Sequence, residues 1–257
     1  MQSRDNDPYN RTQAPGQVSN QGGAATPNTL SHEGVIVSSP PREGFLTGSF
    51  IWMFVGVLLS ALSAWFVMNN EGLQQTVSEW ALLLLIGQLG LVLVINFAIT
   101  RISSAVALAL FFVYALTMGL VLGVIVLAYL PAIGVSGVVS AFAGAAAVFG
   151  GAAVYGVVTK RDLTSLQGIL FMGLLGLIVV MIVQIFFFPG NSMANLLIGI
   201  VGVLLFTGIT AWDVQRLKNG AMPNINKDSA TVLGALALYL DFINLFLFML
   251  RIFGSSR

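Results

Sequence analysis

Cysteine is absent from the 257 residues, histidine occurs once, and charged residues make up only 8% of the chain. Without cysteine there is no disulfide, no thiolate metal site and no thiol nucleophile. The one histidine, His32, lies in a polar stretch with no second histidine to help it hold a metal, so it reads as a solvated residue. A Ser-His or Ser-His-Asp membrane protease needs a histidine among its apolar segments, and none is there. A net charge of +1 gives no basis for binding nucleic acid. Lysine occurs only at Lys160, Lys218 and Lys227, each between apolar runs, so no buried amine can form a retinal Schiff base.

Apolar residues dominate what remains. They make up 57% of the chain and the mean hydropathy is +0.91, far outside the soluble range. Residues 1–44 differ: Gln, Asn, Ser, Pro and Gly prevail with no apolar run, which predicts a disordered tail rather than a signal peptide. The remainder, 45–257, divides into seven segments near 46–68, 80–99, 103–130, 135–158, 166–188, 194–211 and 232–253. Each is close to the roughly 20 residues that cross about 30 Å of hydrocarbon, and none shows the alternation of a barrel strand. The expected fold class is therefore all-α, a polytopic membrane bundle of seven transmembrane helices.

Basic residues assign the sides. Arg101, Lys160, Arg161, Arg216, Lys218 and Lys227 fall in the second, fourth and sixth connections, and Arg4, Arg11 and Arg42 in the tail. The first, third and fifth connections hold no Lys or Arg, so the amino terminus and the even connections are expected to be cytoplasmic. Seven spans then leave Arg251 and Arg257 outside. Either the last helix is a partial, re-entrant span, or two charges lose to nine. Gly119 and Gly123 fit the GxxxG pattern, and the fourth segment carries Gly144, Gly150, Gly151 and Gly156 among alanines. Such spacing suits a dimer seam or close packing within one bundle; seven helices in one chain favour the second. No fixed-period internal repeat supports an inverted-repeat transporter.

Two carboxylates stand out. Asp213 and Asp241 lie in stretches that otherwise read as spans, where an unpaired charge costs several kcal/mol. If the sixth helix continues to Lys218 or Asn219, Asp213 sits roughly 8–9 Å inward of its end. With the seventh helix starting near Val232, Asp241 lies roughly 13 Å in, at the same side. The two can meet, and Arg101, closing the second span on that side, is long enough to snorkel inward, so an Arg–Asp–Asp cluster is plausible. A shared proton would also suit an intramembrane aspartyl protease, an alternative that stays open. Asn244, one turn after Asp241, can bond within the core or line a pore. Glu79 reads as an interface residue, and Gln88, Asn96 and Gln184 as interhelical hydrogen-bonding groups.

At these residues a family resemblance emerges. Residues 237–246 (ALYLDFINLF) and 250–254 (LRIFG) resemble the signature last helix of the Bax inhibitor motif family, in its bacterial branch. Residues 210–218 (TAWDVQRLK) resemble its sixth-helix end and 159–163 (TKRDL) its fourth connection, so the similarity spans roughly 45–254. The resemblance implies a seven-helix fold with the last helix central and surrounded by the other six. It also implies a pH-sensitive calcium leak in the bacterial inner membrane. The family's paired aspartates fall on Asp213 and Asp241, as pH sensor and cation ligands, and its arginine latch on Arg101. Some members are described instead as regulators that bind membrane proteins in cell death or proteolysis. The expected partners are lipid, calcium ions and membrane proteins, with no resident cofactor and no enzymatic activity. Two close carboxylates do not both ionise cheaply, so one is expected to hold a proton near neutral pH, the titration belonging to the pair. Losing that proton, or moving the arginine away, frees oxygens suited to Ca²⁺, too few for a tight site and better matched to conduction.

Overall fold

In lipid every backbone N–H and C=O must find a partner within the protein, so continuous apolar runs become helices. The computed structural model describes residues 45–188, 190–220 and 225–255; the polar tail and His32 lie outside the described residues. Seven α-helices follow in order: α1 (Phe45–Met68), α2 (Glu71–Glu79), α3 (Ala81–Ala98), α4 (Ser104–Val158), α5 (Gln167–Phe187), α6 (Ser192–Lys218) and α7 (Lys227–Ser255). A single 3-10 turn (Leu163–Leu166) precedes α5. All but α2 are long and apolar enough to cross a membrane.

The break expected between residues 130 and 135 falls at its far edge. Helix runs through Pro131, and the chain turns at Gly134, whose φ of 66° lies in the left-handed region. A Cβ at Gly134 would meet nothing within 4 Å, so the glycine is required by its backbone angle and not by space. The 55 residues of α4 would extend about 82 Å if straight, far more than one bilayer. Split at Gly134, each part has the length of one crossing, which restores seven crossings from six long helices.

Side-chain contacts set the directions. From α1, Ser49 Oγ donates to Thr231 O at 3.0 Å and Ser60 Oγ lies 2.6 Å from Tyr239 Oη, so α1 and α7 run parallel. The first part of α4 runs the same way: Phe111 packs edge-on against Tyr239, and Gly254 backs onto Tyr129. The second part runs back, with Phe142 against Phe246, Phe149 against Phe242, and Gly156 against Ala211 of α6. Arg101, Lys160, Arg161, Arg216, Lys218 and Lys227 therefore gather at one end of the bundle, and Arg251 lies at the other. The GxxxG pair packs within the chain. Gly119 meets the backbone of Ser60, and a Cβ on Gly123 would come 2.8 Å from Ala64 O.

α7 packs against α1, α4 and α6 and is the most buried of the long helices; α3 and α5 are the least. The last helix is thus central, but it is not enclosed by all six others. α3 packs on α4 and α2, and α5 on α6, both leaving most of their surface exposed. α7 is one unbroken helix of 29 residues, about 43 Å long, so a re-entrant last helix does not account for Arg251. α2 falls in what the apolar pattern leaves as the first connection. Asn70 caps it by accepting from Leu73 N at 3.0 Å, and only Val77 of its residues is buried.

Candidate functional site

α6 and α7 are antiparallel and close because glycines face bulky partners. Gly199 backs onto Ile252, Gly202 onto the Phe248 ring, and Gly234 of α7 onto Leu217. This register sets Thr210 level with Asp241 and places Asp213 one turn, about 4.5 Å, nearer the basic end. It arises although α7 starts at Lys227, five residues before the expected Val232. Both carboxylates are buried, with 8% of Asp213 and 3% of Asp241 exposed, and they lie within electrostatic reach of each other.

Their surroundings differ. Asp213 Oδ1 is 3.7 Å from Arg216 Nη1, one turn along its own helix. The Arg216 guanidinium also lies 5.2 Å from the centre of the Trp212 ring, within cation–π range. Asp241 lies beside the Thr210 hydroxyl, which itself donates to Phe206 O at 2.7 Å. The second oxygen, Asp241 Oδ2, is buried without a hydrogen-bond partner among the described residues. On the opposite face of α7, Tyr239 joins Ser60, which donates to Ala115 O at 2.7 Å. That link fixes the helix carrying Asp241 against α1 and α4.

Beside Arg216 the basic end holds a cavity of about 270 Å³ lined by Thr164, Gln167, Trp212, Gln215, Arg216 and Asn219. Gln215 shapes its wall. It accepts from Leu163 N at 2.8 Å and donates to Arg161 O at 2.7 Å, tying the α4–α5 connection to α6. Lys218 Nζ donates to Val157 O, a second tie between α6 and the end of α4.

Arg101 lies elsewhere. It is exposed in the turn between α3 and α4, lines a shallow cavity with Leu93, Val94, Phe97 and Ala98, and enters no ion pair among the described residues. Asn244 donates to Leu240 O at 2.8 Å on its own helix. Glu79 ends α2, exposed, and accepts from Gln75. Of the three amides expected to link helices, Gln184 does so, bonding Asn195 of α6 at 2.7 Å. Asn96 instead bonds Val92 O within α3, and buried Gln88 Nε2 has no hydrogen-bond partner among the described residues. Spacing does not single out Arg216, Trp212, Thr210 or Gln215 as site residues. The i,i+3 step from Asp213 to Arg216 is legible as a helix pair, but Arg216 also satisfies the positive-inside pattern, which accounts for it without a site role.

No cluster of three or more His, Asp or Glu residues occurs among the described residues, so the pair lacks the ligands of a storage site. Long apolar helices around a buried acidic pair define a polytopic helical membrane protein. Its sequence matches, over residues 42–257, the family model described as "Inhibitor of apoptosis-promoting Bax1". The chain belongs to the Bax inhibitor family. An uncharacterized protein of Deinococcus radiodurans is 43% identical over 216 residues, 83% of this chain and 90% of that one. The inner membrane protein YbhL of Escherichia coli K12 is 37% identical over 228 residues, 84% and 95% of the two chains. YrjE of Lactococcus lactis, also uncharacterized, is 36% identical over 222 residues, 83% of this chain and 92% of its own.

Proposed function

We propose that this chain is a pH-sensitive calcium leak of the bacterial inner membrane, with its amino terminus cytoplasmic and Asp213 and Asp241 as gate and pH sensor. One observation carries the reading: two helices bring buried carboxylates together and leave one oxygen, Asp241 Oδ2, without a partner. A bundle that needed only cohesion would not retain a pair so expensive at that depth. The Thr210 hydroxyl, which donates to Phe206 O within α6, lies beside Asp241. Two carboxyls this close do not both ionise cheaply, so the pair shares a proton. Loss of that proton exposes oxygens to a hard cation, so flux rises with pH. In this reading Arg101 acts as latch only after its side chain is drawn from the α3–α4 turn to the pair, in another conformation.

Calcium influx into proteoliposomes across a pH series tests this, with wild type beside Asp213→Asn and Asp241→Asn. The expected result is a response that rises with pH in wild type and flattens in both variants. The word inhibitor in the family's description favours a second reading, a regulator that binds other membrane proteins. Absence of flux in correctly inserted protein, together with specific co-purifying membrane proteins, would favour that reading.

A further inference from the structure

We propose that Arg216 is the residue that closes the basic end of the acidic site, and that the cavity beside it is the water-filled vestibule through which a divalent cation reaches Asp213. The inference rests on the leak reading above and adds a residue and an entry route to it.

Three observations converge. The Arg216 guanidinium sits between two groups that attract it, Asp213 Oδ1 at 3.7 Å and the Trp212 ring at 5.2 Å. A planar cation on an aromatic face next to a carboxylate supplies the positive charge that a metal ion would otherwise bring to Asp213. Its side chain is 37% exposed, whereas that of Asp213 is 11% exposed, so the arginine and not the aspartate can swing into water. An ion pair open to water on one side separates readily. The vestibule supplies that water: Thr164, Gln167, Gln215 and Asn219 line it with polar groups. The apolar cavity between α1, α4 and α7, lined by residues such as Val57, Leu122 and Phe246, offers an ion nothing.

The wall is tied by hydrogen bonds, whereas Arg216 is held only by the ion pair and the ring. Gln215 holds the α4–α5 connection through both ends of its amide, and Lys218 is engaged with Val157 O. Arg161 is exposed on the connection, and its carbonyl serves the Gln215 clamp. Arg101 lies in its own turn beside α3. Arg216 is therefore the cation placed to exclude another cation from Asp213.

The test uses full-length protein in vesicles of phosphatidylethanolamine and phosphatidylglycerol, with external Ca²⁺ and a trapped calcium dye. At one pH, Arg216→Gln should raise initial influx several-fold, and Arg216→Lys should restore most of the closure. The double variant Arg216→Gln with Asp213→Asn should return to the level of Asp213→Asn alone, since the arginine acts through that carboxylate. A purely structural role would not reproduce this dependence. Because the chain has no cysteine, Thr164→Cys gives a second arm: a bulky cationic thiol reagent should label it and reduce influx. Labelling without loss of influx would overturn the vestibule. Unchanged flux in Arg216→Gln, with a normal effect of Asp213→Asn, would overturn the Arg216 assignment and leave the leak reading standing. Absence of flux in every protein, wild type included, would overturn both.

Discussion

Two polar clusters lie near opposite ends of the same helix pair, and they are built on opposite principles. At the far end Arg251 Nε donates to Asn195 Oδ1 at 2.9 Å, and its Nη2 donates to Gln184 Oε1. Gln184 Nε2 closes the triangle on Asn195 at 2.7 Å. Toward the basic end, Asp213 and Asp241 face each other as like groups, and Asp241 keeps a buried oxygen without a bond. The first cluster joins α5, α6 and α7 by satisfied hydrogen bonds and has the character of a structural pin. The second is held in place by neighbours that satisfy it only in part. A fully satisfied network rigidifies, whereas a partly satisfied one invites a proton or an ion.

The contrast is sharpest in transport. Asp241→Asn should abolish the pH dependence of calcium flux, while Asn195→Leu should leave it intact in protein that inserts normally. Equal flattening by both would mean that the far cluster belongs to the pathway, and the contrast would break.

In stability the order reverses. Asn195→Leu removes the acceptor of two interhelical bonds, one from a charged donor, and should cost about 1–2 kcal/mol. Asp241→Leu replaces an imperfectly bonded carboxyl by an apolar group of similar size and should be neutral or stabilising. Unfolding titrations in mixed micelles measure both. Marked destabilisation by Asp241→Leu would give the acidic pair a structural role as well.

A smaller effect is expected at the vestibule wall. Gln215→Ala loses two bonds to backbone and should cost about 1 kcal/mol, with faster proteolysis in the 159–166 connection as its readout. Intact resistance to proteolysis would show that the clamp does not hold that connection.

The smallest effect belongs to Asp162, fully exposed at the same connection. Hydrogen bonds from the Thr164 hydroxyl and N–H hold its carboxyl below the ordinary 3.8. A lowered folded pKa contributes stability that is complete above the unfolded value and is lost as pH falls through the folded one. Asp162→Ala should therefore lower the melting temperature slightly at pH 7, and the gap should close well below pH 3.8. A gap that persists in acid would show that the bond does not depend on ionisation.

The sequence by itself determined the class, the crossings and the location of the expensive residues. Apolar runs of bilayer length admit only helices, basic residues in alternate connections sort them to two ends, and a carboxylate flanked by Leu240 and Phe242 has no ordinary place to be. Composition and period are local properties, so they can be read without contacts. Tertiary structure decided the rest. The turn fell at Gly134 because reversal needs a positive φ that Pro131 lacks. α3 and α5 lie outside the inner helices, a matter of packing that equally apolar segments do not announce. The partner of Asp213 is Arg216 and not Arg101 in this conformation, because the α6–α7 register and the stacking on Trp212 set which guanidinium arrives. Such pairings depend on where helices touch, and hydropathy, averaged along a segment, carries no record of its neighbours.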